Sequence, residues 1–412
     1  MKREDIIKAA FKVWGRELYR TTSLTEIAQE LEVSKAALYR HFKDKDELLE
    51  AMFPVFFDDC AAFIKNGCEK ASNAASGRET HLILMRTIAE YYVRNREAFI
   101  FSLIRVFNNR DRQDIAAEFQ ARGIYFEQLL HQKDEDALYP SALQLIVATM
   151  VLFTGIFHRQ SYETGKAPED KAVKLILIQI EDRIQKGLKL DAKKIAALNF
   201  EALERQASGI VFDDSEDNAL LKAVAEAVAE AGPWDMSMEM AARHAGLSKS
   251  GLYAHFKNRQ DMLDQLFITE FSRIVNFTKT QIETTGLPEA QLYLTILSIV
   301  SYLRSRPEIF FAIDWIKTRR LEFGEGISDL IFRNIASIKM GAIQKLDQRM
   351  LLETAQWILF LIVNILAWWP SKPDTAVDGR NIEWVKNTKE IPDESFRFLF
   401  RFIALGLEGL NQ

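Results

Sequence analysis

The chain has 412 residues, 48% hydrophobic and 27% charged, with a formal net charge of −5. That is an ordinary globular balance, long enough for several domains and, with 28 Phe, rich in material for apolar cores. The acidic total argues against a general polyanion binder but leaves room for a local basic face.

In chain order, Met1 to Asp5 is followed by no apolar run of the signal-peptide kind. Ile7, Phe11, Trp14 and Leu18 then line one face of a first helix. Ser23 can cap a second helix, with Glu26 three residues on completing a capping box. Leu24, Ile27, Ala28 and Leu31 form its apolar stripe. Glu32-Val33-Ser34 makes a tight turn, with Ser34 as the next N-cap. Lys35 to Phe42 predicts a short third helix with Leu38 and Phe42 inward. That leaves Lys35, Ala36, Ala37, Tyr39, Arg40 and His41 for its other faces.

Cys60 and Cys68 fit no zinc-ligand spacing and read as reduced thiols. Two apolar helices, Ala142 to Phe157 and Asp170 to Leu188, close the first half. Asp191 to Gln206 reads as one further helix, broken by Ser208-Gly209 and the acidic run Asp213 to Asp217. The join is placed near residue 210.

Beyond the join the chain repeats itself. Ser34-Lys35-Ala36-Ala37-Leu38-Tyr39-Arg40-His41-Phe42-Lys43 returns as Ser248-Lys249-Ser250-Gly251-Leu252-Tyr253-Ala254-His255-Phe256-Lys257, an offset of 214 that also links Ser23 to Ser237 and Leu49 to Leu263. Tyr92-Val93-Arg94 pairs with Tyr302-Leu303-Arg304 at offset 210, so most of each half is duplicated. The second half ends in two more apolar helices, Glu353 to Trp369 and Asp393 to Leu410, around an irregular stretch from Pro370 to Glu394. The longest apolar run, Ala355 to Trp369, is shorter than the roughly 20 residues of a membrane span and predicts a buried helix.

A short helix with small residues at its N-terminal end suits a major groove, with basic and hydroxyl side chains around it for phosphate. The pattern Ser34-Lys35-x-x-Leu38-Tyr39-x-His41-Phe42-x-x-Lys45-x-x-Leu48, with Leu24-x-x-Ile27-Ala28 upstream, resembles the DNA-binding signature of the TetR (tetracycline-repressor-like) family. The second copy fits nearly as well and has the usual turn glycine, Gly246, where the first has Glu32. The resemblance implies phosphate contacts from Tyr39, His41 and Lys45 and base contacts from Lys35, Ala36, Ala37 and Arg40. It implies the same of Tyr253, His255 and Arg259 and of Lys249, Ser250, Gly251 and Ala254. Lys257 joins the second set. Ser23, Ser34, Ser237 and Ser248 hold the helix starts at the interface. Residues 23–46 carry net −1 and residues 237–260 net +3, so the second copy has the stronger electrostatic footprint.

The resemblance also implies an all-α fold of two TetR-like halves. Each is a three-helix DNA-binding domain (1–50 and 218–264) with a helical effector and dimerisation domain (51–207 and 265–412), joined by a linker at 208–217. The last two helices of each half would pack the halves as an intramolecular pseudo-dimer, with a further homodimer open. The partners implied are an operator in double-stranded DNA, with unlike half-sites, and a small apolar or amphipathic effector that releases it. Tyr91, Phe99, Phe107, Phe153, Tyr302, Phe311, Trp315 and Trp357 are the candidates for the effector cavity. His81, His131, His158 and His244 lack metal-ligand spacing, and no nucleophile, phosphate loop or carboxylate pair stands out. A cytoplasmic regulator that is not an enzyme, with no cofactor, metal or membrane partner, is the expectation. The alternative is a helical ligand- or protein-binding module with one or both DNA-binding units degenerate.

Overall fold

The computed structural model describes residues 2–16, 23–103, 115–131, 140–163, 168–208, 219–306, 308–310, 338, 340–343, 346–368 and 391–410. Among these every regular element is a helix, as the three-and-four apolar spacing predicts. Leu18, Phe107, Phe311, Trp315 and the stretch 370–390 lie outside them. The chain divides into two compact units, Met1–Glu181 and Asp182–Gln412.

Unit 1 opens with α1 (Arg3–Arg16), α2 (Leu24–Glu30) and α3 (Lys35–Tyr39). The long α4 (Lys45–Ser72) follows, then α5 (Gly77–Arg94), α6 (Arg96–Phe101), α7 (Ile115–Gln120), α8 (Phe126–His131), α9 (Pro140–Glu163) and α10 (Asp170–Lys186). α4 packs on α5, and α5 on α9. α6 lies against α1, where Phe101 meets Phe11 and Phe53 at ring centroids 5.1 and 5.2 Å apart.

Unit 2 takes the end of α10, then α11 (Ala192–Ala196) and α12 (Phe200–Ser208). The single helix expected over 191–206 is two, because the Asn199 carboxamide oxygen accepts from Ala202 N at 3.1 Å and starts a new one. Both pack on α17, which is why they belong to the second unit although the sequence repeat places the join near 210. The rest is α13 (Ala219–Asp235), α14 (Met238–His244), α15 (Lys249–Tyr253), α16 (Arg259–Ile282), α17 (Pro288–Ser305), α18 (Gln348–Trp368), α19 (Asp393–Leu405) and a closing 3₁₀ turn, Gly406–Gly409.

Two helical stretches, Ala142–Ser161 and Gln348–Ala367, are long and apolar enough to cross a membrane, the second longer than the apolar run anticipates. They bury 67% and 50% of those windows inside the protein, as core helices do.

Backbone geometry shifts the repeat register by one residue in the fifth helix of each repeat, α5 and α17. Asn95 N–H donates to Tyr91 O, and Arg306 N–H to Tyr302 O, each capping its helix with similar backbone angles. Tyr302 therefore corresponds to Tyr91, at offset 211, and not to Tyr92. Both tyrosines donate their hydroxyl to a carboxylate on the preceding long helix, Tyr91 to Asp59 at 2.9 Å and Tyr302 to Glu270 at 2.5 Å.

A second correspondence lies within unit 2. Ile184-Gln185-Lys186-Gly187-Leu188, ending α10, matches Ile403-Ala404-Leu405-Gly406-Leu407, ending α19. The two ends cross with their backbones touching. Gly187 (φ 54) and Gly406 (φ 65) are both left-handed. A Cβ on Gly187 would overlap the Ile403 carbonyl oxygen, and one on Gly406 the Gln185 carbonyl. Leu188 N and Leu190 N then donate to Ile403 O (2.9 Å) and Ala404 O (3.1 Å), satisfying carbonyls at the end of α19.

Candidate nucleic-acid interface

The third helix starts alike in both units. The Ser34 hydroxyl accepts from Ala37 N at 3.3 Å, and that of Ser248 from Gly251 N at 3.0 Å. The helix before it is capped by Ser23, whose N–H donates to Glu26 Oε2 at 2.6 Å, and by Ser237, which accepts from Met240 N at 3.2 Å. The turn between the two helices needs a left-handed residue. Glu32 supplies it at φ 55 and Gly246 at φ 65. Helical geometry ends at Tyr39 and Tyr253, sooner than the expected run to Phe42, and a tight turn follows in which His41 N and Phe42 N both donate to Leu38 O.

Leu38 and Leu252 are wholly buried, and Phe42 and Phe256 nearly so. These anchors fix which face points outward. Lys35, Ala36, Tyr39 and Arg40 are exposed, as are Lys249, Ser250, Tyr253, Ala254, His255 and Lys257; Ala37, His41 and Gly251 are half-buried. Tyr39 and Tyr253 are 46% and 47% exposed, unusual for so large an apolar ring. Lys35 Nζ sits 5.8 Å from the Tyr39 ring centroid.

The fourth helix begins with Lys45 and Arg259, each half-buried. Lys45 Nζ lies 5.8 Å from the Trp14 ring centroid, and Arg259 Nε donates to Met236 O at 2.8 Å. The capping residues before them are Asp44, accepting from Glu47 N at 2.8 Å, and Asn258, accepting from Asp261 N at 2.9 Å. Glu47 and Asp261 in turn accept from Lys43 N and Lys257 N, both at 2.8 Å, and those backbone donors hold both carboxyls below the usual range.

Sequence reasoning missed two features. Arg3 clasps the end of the recognition helix in unit 1: it donates to His41 O at 2.8 Å, pairs with Glu47 at 3.2 Å and lies 4.1 Å over the Phe42 ring. The brace between the first two helices also swaps its basic and acidic positions between units. Lys12 pairs with Glu30 in one, and at the same positions of the other Glu226 faces His244, 3.7 Å away, with Glu230 at 2.5 Å on its second ring nitrogen. Only an offset-by-offset comparison of polar positions would have exposed it.

The effector candidates that are described are core residues. Tyr91, Phe99 and Phe153 are buried in unit 1, Tyr302 and Trp357 in unit 2. Around Phe99 stand Tyr92 (5.8 Å between ring centroids) and His158 (5.5 Å), while the Arg183 guanidinium caps Trp357 at 5.0 Å. An open cleft of about 580 Å³ lies elsewhere in unit 2, between α12, α17 and the start of α19. Glu201, Arg205, Ser301, Arg304 and Phe396 are among its walls; Tyr302 and Trp357 are not. Among the described residues no cluster could hold a metal ion.

Two helix-turn-helix units with matched caps, anchors and exposed faces define a DNA-binding protein class. Residues 6–52 and 220–266 each match the family described as bacterial regulatory proteins, tetR family. The chain thus carries the tetR-family unit twice, in tandem. It is 28% identical over 147 residues to the uncharacterized HTH-type transcriptional regulator YerO of Bacillus subtilis (strain 168), covering 34% of this chain and 45% of that protein. It is 32% identical over 91 residues to YuxN of the same organism, another uncharacterized HTH-type transcriptional regulator (22% and 31% covered). To the HTH-type transcriptional regulator HbdR of Aromatoleum sp. (strain CIB) it is 42% identical over 48 residues (12% and 21%). The chain spans less than half the length of each of these relatives. Among solved structures it is similar to the transcriptional regulator FadR of Bacillus subtilis in complex with stearoyl-CoA, at 17% identity and a TM-score of 0.33, over 46% of this chain and 98% of that one.

Proposed function

We propose that this chain is a transcription regulator whose two unlike recognition helices read one operator with two unlike half-sites. The observation that carries the reading is the repeated outward face. Each unit presents a Ser-capped short helix, small residues at its start, and a half-exposed tyrosine. A phosphate beside Tyr39 or Tyr253 gives the phenol an acceptor and covers the ring. Lys35 and Lys249 stand near the helix starts, where base edges are read.

The halves act as a pseudo-dimer through their last helices, which places the recognition helices roughly one DNA turn apart, about 34–36 Å or a multiple. The backbone crossing of α10 and α19 at Gly187 and Gly406 supports this, because equivalent ends of the two repeats meet there reciprocally. Because Ala36, Ala37 and Arg40 stand where the other unit has Ser250, Gly251 and Ala254, the half-sites differ in sequence. The chain acts as a repressor that a small apolar or amphipathic effector releases, a reading that rests on the family resemblance and on the aromatic character of both C-terminal regions. It works in the cytoplasm and performs no catalysis.

Gel-shift titration against DNA from the protein's own upstream region tests the reading. Tyr39→Phe and Tyr253→Phe each lose one phosphate hydrogen bond, about 1 kcal/mol or some fivefold in affinity. If neither variant changes specific affinity, the paired readout is wrong. The net −1 of the first unit motivates the second reading, a degenerate first copy; in that case only Tyr253→Phe weakens binding.

A further inference from the structure

α12 builds one wall of the open cleft in unit 2, and it is anchored there on both α17 and α19. Phe200 packs on Tyr293 and Phe400 at centroid distances of 5.1 and 5.9 Å. Glu204 takes both Arg397 nitrogens at 2.7 Å and the Tyr293 hydroxyl at 2.6 Å. Two turns along α17, Ser301 Oγ donates to Ala207 O at 3.4 Å. Around this last contact the three helices enclose about 580 Å³, inside the roughly 300–1,000 Å³ range of small-molecule sites. Leu297, Val300, Ser301 and Arg304 reach it from one face of α17, at three-and-four spacing. Leu297 and Val300, with Phe396 of α19, supply its apolar surface.

The charges on these walls differ in weight. Arg205 and Glu201 are 72% and 76% exposed and lie 3.8 Å apart, and Asp393 is exposed as well. Solvated charges of this kind contribute little to binding. Arg304 is half-buried. Its guanidinium lies 4.9 Å over the Phe396 ring, and its Nη2 donates to Ile391 O at a long 3.4 Å. Those two contacts fix the plane of the fork beside the cleft. Burial pulls the Arg304 pKa below the usual arginine value, against the opposing charge of Asp393. A bound anion offsets that desolvation and accepts charge-assisted hydrogen bonds. The start of α19 adds to the same field. Its N-cap is Pro392, whose side chain makes no cap bond, and its first turn reaches the cleft through Asp393.

We propose that this cleft binds a small apolar monocarboxylate, its carboxylate on the Arg304 guanidinium and its hydrocarbon part along Leu297, Val300 and Phe396. Glu201 and Asp393 set the limit to one negative charge, because a second would face them across the opening. The site is separate from the aromatic cores, since neither Tyr302 nor Trp357 is among its walls. It is also a product of the tandem join. α12 follows Gly187-Leu188, the last residues of the first half that match the second, and it lies outside both segments that match the family. The inference is independent of the operator reading, since it concerns the protein free of DNA.

Titration calorimetry of the full chain without DNA tests it. The probes are octanoate and 4-phenylbutanoate, each compared with its uncharged primary amide. The expected result is that at least one acid saturates one site per chain and binds about tenfold or more tighter than its amide. Arg304→Gln lowers the affinity for the acid to that of the amide. Because Arg304 also packs on Phe396, Ser305→Trp is the second variant. Ser305 is exposed, lines the cleft and bonds only the Tyr302 carbonyl of its own helix, at 2.8 Å. An indole there fills the opening and abolishes binding with unchanged circular dichroism. Arg205→Gln, on the solvated wall, changes affinity less than about twofold. The proposal is overturned if neither acid saturates a site, or if the amides bind as tightly as the acids. Acid binding that survives Ser305→Trp also overturns it, and leaves the effector reading standing with its ligand elsewhere.

Discussion

At the residue scale, most of the recognition surface is legible because it is local. A serine three residues before a backbone N–H, a buried Leu and Phe four apart, and small residues between them are statements about one and a half helical turns. The turn residue is equally local. Glu32 occupies the left-handed position that Gly246 fills in the second unit, and an L side chain there costs about 1 kcal/mol. Glu32→Gly therefore stabilises the first unit by at most about 0.5 kcal/mol, once the roughly 0.5–1 kcal/mol of entropy that glycine loses on folding is subtracted. Gly246→Ala, with open space around its Cβ, costs the second about 1 kcal/mol through φ alone. Urea midpoints of the two variants check both signs. Arg3 and the reversed Lys12–Glu30 brace were not legible, because each joins residues brought together only by the packing of separate helices.

At the scale of elements, helix existence follows from apolar period, while helix partners do not. The split of 191–206 and the packing of α12 on α17 depend on Phe200 and Glu204 finding Tyr293 and Arg397, contacts no local pattern encodes. The repeated tyrosine latch behaves differently in the two units. Asp59 is largely solvated, whereas Glu270 is 2% exposed and also meets Arg273 at 3.0 Å. Tyr302→Phe strips a donor from a buried carboxylate and costs about 1–3 kcal/mol; Tyr91→Phe costs less than about 1. Chemical denaturation of the two variants reads the difference. The aromatic core of unit 1 also carries a titration. Burial pushes the His158 imidazole down to about 4, with its Nε2 held as a donor to Tyr92 O at 2.7 Å. The unfolded value is near 6.5, so the stabilisation is complete above that pH and is lost as pH falls toward 4. At pH 5 the loss is about 2 kcal/mol relative to pH 7. His158→Gln removes that slope from urea midpoints measured at the two values; an unchanged slope would assign it to other groups.

At the scale of the whole molecule, the duplication was readable from the offset alone, but its asymmetry was not. α12 follows the first repeat in sequence and completes the second in space. The crossing at Gly187 and Gly406 likewise appears only once both helix ends are placed. Gly187→Ala and Gly406→Ala each drive a Cβ into the other's backbone and cost at least about 2 kcal/mol. Because both act on one contact, the double variant costs less than their sum, which a double-mutant cycle of thermal unfolding measures. The central claim is that one chain reads two unlike half-sites with its two recognition helices. DNase footprinting of the operator with wild type, Lys35→Glu and Lys249→Glu tests it most directly. The account predicts two protected half-sites about one helical turn apart, one weakened by each variant. Protection of a single half-site, or equal weakening of both by either variant, would contradict it.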